Sequence, residues 1–220
     1  MKLYYAPASS YSQRVLIALY EKQVNFTPIQ VNLFDPEVRQ NYLKINPFGK
    51  VPTLVTDDGT VLFEANIIIE YLDKTYQNVP QLIPVNPEKA LETQMLERII
   101  DVYINTGREA LFSDTQRTPS MRGAGNVVKA RRLMETALAL LDERLAKRTW
   151  LVDEFSLADC AAAPTLAYLR MVYSYEHLPN LTNYVKRLES RPSIVQIFHS
   201  GYEQMTQMLS KLEYPLELVA

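Results

Sequence analysis

The sequence predicts a chain of two unlike parts, an α/β unit over residues 1–76 and an all-helical unit over 88–220. Three observations carry that prediction. Within 1–76, short β-like runs alternate with stretches of helical periodicity. Residues 77–87 hold Pro80, Pro84 and Pro87, each lacking a backbone donor and restricting its predecessor, and read as a linker. Beyond them the apolar residues recur at helical spacing without a strand signal. Only 6 glycines in 220 residues argue against a turn-rich all-β design and for long helices.

The elements follow in order. Residues 2–5 (Lys-Leu-Tyr-Tyr) read as a first strand, and 12–22 as a helix with Val15, Leu16, Ala18 and Leu19 on one face. Residues 26–31 alternate as a second strand, with Phe26, Ile29 and Val31 as candidate core residues. Asp35-Pro36-Glu37 reads as the start of a short helix. Residues 53–56 and 61–63 bracket Asp57-Asp58-Gly59, a hairpin signal. Residues 65–76 then carry Ile67, Ile68, Tyr71 and Leu72 at helical spacing. The order β-α-β-α-β-β-α, a parallel half closed by an antiparallel hairpin, is a thioredoxin-like arrangement.

In the second part, a helix over 91–112 is followed by a loop over 113–125. Apolar residues at 127, 130, 134, 137, 138, 141 and 145 then trace one core-facing stripe. Ser156-Leu157-Ala158-Asp159 has the pattern of a reciprocal helix cap, with Phe155 and Cys160 at the positions of a hydrophobic staple. Cys160 is therefore a packing residue and not a nucleophile. Pro164, about two turns into that helix, predicts a kink.

Composition removes several function classes. The formal net charge of −2 gives no reason to expect a nucleic-acid partner. The basic cluster Lys129, Arg131 and Arg132 shares its helix with Glu135, Asp142 and Glu143, as a solvated face does. One cysteine excludes an internal disulfide and a cysteine-based zinc site. His177 and His199 are too isolated to suggest a metal centre. No apolar run is long enough for a membrane span, and Met1-Lys2-Leu3-Tyr4-Tyr5 lacks the apolar core of a signal peptide, so a cytoplasmic location is expected.

The residues that carry chemistry lie at loop–element junctions. After the first strand comes Ala6-Pro7-Ala8-Ser9-Ser10-Tyr11-Ser12-Gln13-Arg14-Val15. A serine there either caps the helix or offers its hydroxyl to an anion held at the helix's positive end. The second motif is Asn46-Pro47-Phe48-Gly49-Lys50-Val51-Pro52-Thr53-Leu54, a loop entering a strand through an X-Pro bond. The third is Leu62-Phe63-Glu64-Ala65-Asn66-Ile67-Ile68, a strand ending on an acidic helix start.

These motifs, the proline linker and Phe155-Ser156-Leu157-Ala158-Asp159 together resemble a cytosolic-type glutathione transferase over essentially the whole chain. The resemblance implies a thioredoxin-like glutathione-binding domain, a helical-bundle domain, glutathione as co-substrate and a homodimer. With Arg14-Val15 as anchor, Ser9 falls on the catalytic position of the serine-type classes, with Ser10 as the alternative. It implies a cis bond before Pro52, turning the Val51 backbone outward to pair with the cysteinyl part of glutathione. It assigns Glu64 to the ammonium of the γ-glutamyl end and Lys50 to the glycine carboxylate. Ala65 stands where the family has Ser, so one hydrogen bond to the γ-glutamyl carboxylate is missing and weakened binding is expected. The Asn66 side chain is a partial substitute. The second substrate, a hydrophobic electrophile, is expected against the helix over 91–112, with Tyr11, Tyr103, Arg108 and Phe112 lining its site.

The implied chemistry is conjugation of the detoxification type, or assistance to peroxide reduction. A thiol of pKa about 8.5 reacts as its thiolate. Lowering that value by about two units takes roughly 2.7 kcal/mol. A hydrogen bond to the anion supplies roughly 1.5–3 kcal/mol and a helix N-terminus roughly 0.3–1 kcal/mol, so one hydroxyl and the dipole suffice. Two other readings stay open. Zeta-like isomerases carry Ser-Ser-Cys-Ser-Trp-Arg, against Ser9-Ser10-Tyr11-Ser12-Gln13-Arg14 here. Stringent-starvation-type proteins, non-catalytic partners of RNA polymerase on the same fold, share an Asp-Glu-Phe-Ser-Leu stretch, here residues 153–157.

Overall fold

The structure, a computed structural model, describes residues 1–77 and 80–212. Asn78 and Val79 of the expected linker, and residues 213–220 of the expected helical unit, lie outside the described residues. The chain opens with β1 (Lys2–Tyr5), α1 (Ser10–Glu21), β2 (Thr27–Gln30), α2 (Pro36–Tyr42), β3 (Thr53–Val55), β4 (Val61–Phe63) and α3 (Ala65–Thr75). The sheet order is β2-β1-β3-β4, with β1 and β2 parallel and the other pairs antiparallel. This is the thioredoxin-like arrangement expected from the pattern.

Leu3 and Leu54, neighbours on the two central strands, are fully buried. Val15, Leu16, Ala18 and Leu19 of α1 and Ile68, Ile69 and Leu72 of α3 complete that core. Two details differ from the sequence reading. Helix α1 starts at Ser10, because Ser9 is extended and its hydroxyl oxygen accepts the Ser12 N–H at 3.3 Å. Ile67 points outward, 48% exposed, while Ile69 takes the core position. The three consecutive residues Ile67, Ile68 and Ile69 cannot all face one side of a helix.

The second part runs α4 (Pro87–Ile99), a π-helical segment (Ile100–Asn105), α5 (Thr106–Thr115), a short 3-10 turn (Pro119–Met121), α6 (Gly125–Leu145), α7 (Leu157–Leu169), α8 (Pro179–Glu189) and α9 (Pro192–Leu209). The expected helix over 91–112 is thus longer and carries a wide π turn at its middle, and the loop behind it is shorter. Six of the seven anticipated stripe positions on α6, Val127, Met134, Ala137, Leu138, Leu141 and Leu145, are buried, and Ala130 is half-buried at its margin. Helix α7 is buried on nearly all sides, as its Leu157-Ala158-Asp159-Cys160-Ala161-Ala162-Ala163 run requires. Its Asp159 accepts from the Ser156 N–H and hydroxyl (both 2.9 Å), the Leu151 N–H (3.1 Å) and the Tyr184 hydroxyl (2.6 Å). Cys160 is buried, and that burial pushes its thiol well above the usual range, in keeping with a packing role.

Three polar joints lock the two parts together. Arg14 of α1, fully buried, reaches Asp101 (3.0 Å), Glu97 (3.4 Å) and the Thr165 hydroxyl (3.1 Å). Buried Lys22 donates to Asp73 at 2.7 Å and to the Pro80 carbonyl at 2.9 Å, while Asp73 also accepts from Leu82 and Ile83 N–H. Arg191 at the head of α9 pairs with Glu21. Further along α9, Gly201 lies against the β1–α1 loop. A Cβ there would sit 2.9 Å from the Pro7 carbonyl oxygen, so only glycine permits the approach.

Candidate functional site

Sheet register gathers the three motifs at one end of the fold. Thr53 pairs with Tyr4 on one side and Phe63 on the other. The exit from β1, the entry to β3 and the exit from β4 therefore share an edge. Ser9 follows the first, Val51-Pro52 precedes the second, and Glu64-Ala65 follows the third.

Ser9 is half-buried and caps α1, satisfying the Ser12 N–H. Its oxygen accepts that bond, so its own proton remains to be donated. Capping and anion binding are thus compatible at this residue. Ser10 is the first helical residue and largely buried.

The Val51–Pro52 bond is cis, as the resemblance implied. Among the described residues neither the Val51 N–H nor its carbonyl is hydrogen-bonded to protein. The loop before it is fixed by buried Asn46, whose amide donates to the Lys50 carbonyl (2.9 Å) and the Thr53 hydroxyl (3.0 Å). The Tyr42 hydroxyl donates to the Lys50 carbonyl as well (2.7 Å). Lys50 itself is exposed. Glu64 adopts φ 72°, a left-handed conformation that costs a non-glycine residue on the order of 1–2 kcal/mol and is kept where the surroundings demand it. It gives α3 no side-chain cap, the first turn of α3 has no acidic residue, and the first helical bond is from Ile68 N–H. The Ala65 and Asn66 N–H groups are therefore available to an anion at a helix N-terminus. The Asn66 side chain is engaged with Glu97 instead of substituting for the missing serine.

Beside Ser9 opens a cavity of about 840 Å³ between the β1–α1 loop, α5, the end of α7 and α9. Ser9, Ser10, Tyr11, Arg108 and Phe112 line it, so five of the anticipated residues converge. Tyr103 does not join them. It stands 40% exposed on the π segment, five residues before Arg108 and so about 140° away around an α-helix, whereas Phe112 is four residues on and shares the Arg108 face. Lys50, Val51, Pro52, Glu64 and Ala65 lie outside this cavity, along the sheet edge described above.

Sequence reasoning missed the α9 wall and Tyr168. Helix α9 crosses the cavity because Gly201 packs on Pro7 and the Gln204 side chain accepts the Ala8 N–H at 2.8 Å. Gln13, buried, donates its amide to the Pro7 carbonyl (2.8 Å) and to the Tyr168 hydroxyl (2.7 Å). Nothing in the local sequence marks these partners, which come together only through tertiary packing.

Behind the cavity wall the polar groups are ordered. The Asn105 amide, buried in the π segment, donates to the Tyr11 hydroxyl (2.9 Å), and its carbonyl accepts from Arg108 Nε (3.0 Å) and Nη2 (2.9 Å). Burial, then the Asp101 charge, pushes the Tyr11 phenol up to about 12. The Arg14 guanidinium stacks 4.4 Å from the centre of its ring. Tyr11 is thus a neutral wall, with its hydroxyl accepting from Asn105 beside the Asp101 charge. Among the described residues no group of His, Cys, Asp and Glu is arranged to hold a metal ion, and no helix is long and apolar enough to cross a membrane.

Comparison with known proteins bears on the same features. Residues 3–80 match the family model described as Glutathione S-transferase, N-terminal domain, and residues 93–187 that described as Glutathione S-transferase, C-terminal domain. The stringent starvation protein A homolog of Haemophilus ducreyi is 33% identical over 168 residues, covering 76% of this chain and 73% of its own. Glutathione S-transferase F13 of Arabidopsis thaliana is 28% identical over 207 residues, covering 90% and 94%. A glutathione S-transferase structure from Methylobacillus flagellatus, with GSH bound, superposes with a TM-score of 0.80 at 30% identity, covering 89% of this chain and 98% of that one. One from Methylobacterium radiotolerans, in complex with glutathione sulfonate, gives 0.77 at 30% identity, covering 89% and 92%.

Proposed function

The chain belongs to the glutathione S-transferase family, and from that premise we propose a glutathione transferase whose Ser9 hydroxyl holds the glutathione sulfur as a thiolate for attack on an electrophilic small molecule. Glutathione is the co-substrate. The observation that carries the reading is Ser9 itself, a capping hydroxyl with its proton uncommitted, at the edge of an open cavity and on the sheet edge that bears cis-Pro52.

Each remaining residue has a task that its surroundings allow. The unpaired Val51 N–H and carbonyl accept the cysteinyl part as an added strand. The uncapped start of α3 receives the γ-glutamyl carboxylate on the Ala65 and Asn66 N–H groups, and Glu64 answers the ammonium. Exposed Lys50 reaches toward the glycine carboxylate. Ser10 shapes the loop beneath Ser9. The electrophile enters the cavity against Tyr11, Arg108 and Phe112. Tyr11 takes no part in holding the thiolate, because burial and then the Asp101 charge push its phenol up to about 12 and its hydroxyl is engaged by Asn105.

A homodimer and a cytoplasmic setting, where glutathione is kept reduced, belong to the same reading. Phe48, 65% exposed and edge-on to the Phe63 ring, and Leu91, Met95 and Val102 along one side of α4 and the π segment form the apolar faces available for pairing. The test of function is a conjugation assay with the pH–rate profile of Ser9→Ala beside the natural protein. The variant should be slower, with its profile displaced to higher pH. An undisplaced profile would remove Ser9 from the chemistry.

Ala65, together with the Haemophilus ducreyi relative, favours a second reading, a protein-binding member of the family without catalysis. Absence of glutathione binding at millimolar concentration, with a protein partner copurifying, would promote it.

A further inference from the structure

We propose that the cavity beside Ser9 selects an anionic second substrate, a small apolar electrophile bearing a carboxylate, anchored by Arg108 and Tyr168. What the ligand undergoes rests on the transferase reading; where its charge binds does not.

Arg108 and Tyr168 each carry a proton without an acceptor among the described residues. Arg108 Nε and Nη2 are taken up by Asn105 Oδ1, and Nη2 also approaches Glu109 at 3.3 Å. Nη1 has no partner among the described residues, although only 16% of the side chain is exposed. Burial accordingly lowers the Arg108 pKa from its ordinary value, the mark of a cation short of solvent. Its position is fixed by Asn105, itself buried and tied to Tyr11, so the guanidinium is ordered before any ligand arrives.

Tyr168 supplies the second donor. The Gln13 amide cannot be reversed, since its oxygen would then face the Pro7 carbonyl; the Tyr168 hydroxyl must therefore accept from Gln13 Nε2. That leaves the phenolic proton uncommitted in a group whose pKa, chiefly through burial, lies up at about 12, so it stays a donor at any physiological pH. Arg108 and Tyr168 are close enough to feel each other's charge. Both line the same cavity, which offers apolar wall at Phe112, Met171 and Val172. Glu203 and Lys211 are exposed at the rim, where water screens them, while Glu109, 56% exposed, pairs with Arg108 Nη2 at 3.3 Å and leaves Nη1 as the donor for a ligand. A carboxylate matches a guanidinium edge and a hydroxyl donor, and a neutral electrophile would leave both unpaired.

The experiment is calorimetric titration, without glutathione, of 3,5-dinitrobenzoate and of its methyl ester, probes of similar ring shape that lack a leaving group. The acid should bind tenfold or more tightly than the ester, the size of one charge-assisted hydrogen bond. Arg108→Met should bring the ratio to near one, Arg108→Lys should restore part of it, and Tyr168→Phe should reduce it several-fold. An ester that binds as well as the acid in the natural protein would overturn the proposal even if Arg108→Met failed to fold. So would a ratio unchanged in both Arg108→Met and Tyr168→Phe. Conjugation of 4-chloro-3,5-dinitrobenzoate, in which sulfur bonds to the ring carbon and chloride leaves with its electron pair, is measured separately. Acid preference without turnover would sink the transferase reading and leave the anion site; turnover without acid preference would do the reverse.

Discussion

Ala65→Ser isolates one hydrogen bond in the proposed glutathione site and reads its worth directly. In the protein as it stands, the start of α3 has backbone donors but no side-chain cap, and the Asn66 side chain is occupied with Glu97. A carboxylate there therefore gains the helix dipole, about 0.3–1 kcal/mol, and the backbone N–H groups. A serine hydroxyl would add one charge-assisted bond of about 1.5–3 kcal/mol, which is about 10- to 150-fold in affinity. Residue 65 is only 4% exposed, so a hydroxyl that found no acceptor would instead cost about 1–3 kcal/mol of stability. The two outcomes separate cleanly. Isothermal titration with glutathione should show Kd falling at least tenfold, and thermal unfolding should show the free variant close to its parent. An unchanged Kd in a folded, destabilised variant would refute the placement of the γ-glutamyl carboxylate at this helix end.

Three further perturbations probe the scaffold around the site. Asp159→Ala strands four buried donors, from Leu151, Ser156 twice and Tyr184, and should cost about 3 kcal/mol or more. In a chain of this size that is a fall in Tm of about 6–12 °C by calorimetry, and a fall under 2 °C would contradict it. Gly201→Ala puts a methyl group against the Pro7 carbonyl and should push α9 off the β1–α1 loop, raising KM for the second substrate in an assay at saturating glutathione; an unchanged KM would mean that α9 does not wall the cavity. Phe48→Glu places a charge on an exposed aromatic of the proposed dimer face, and sedimentation should show the variant as monomer and the natural protein as the proposed dimer; a persisting dimer in the variant would exclude that face.

Much of the fold was legible because local signals agreed with one another. The alternation up to residue 76, the stripe on α6 and the Ser156–Asp159 cap each combine periodicity with chemistry that operates over a few residues. The cis-Pro52 was readable from its neighbours through the family resemblance, though not from spacing alone. Ile67 was misread because a run of apolar residues does not declare which of its members faces out, and here it is Ile69 that turns inward. The π segment at 100–105 has no local signature in Ile-Asp-Val-Tyr-Ile-Asn, and Tyr103 was grouped with Arg108 as though any residue on that helix could reach the site. Ser9, Tyr11, Arg108 and Phe112 could be grouped on one cavity from the sequence because loop junctions and helix faces are local properties. Tyr168 and Gln204 were not, because the contacts that bring them to the cavity span 155 residues to Gln13 and 196 residues to Ala8.

The central claim is that a serine hydroxyl and a helix N-terminus suffice to hold glutathione as its thiolate here. The most direct measurement is the ultraviolet thiolate absorbance of bound glutathione against pH, for the natural protein and for Ser9→Ala. The account predicts a bound pKa about two units below the free thiol value of about 8.5, rising by about one to two units in the variant. A bound pKa equal to that of the free thiol, or one that Ser9→Ala leaves in place, would contradict it.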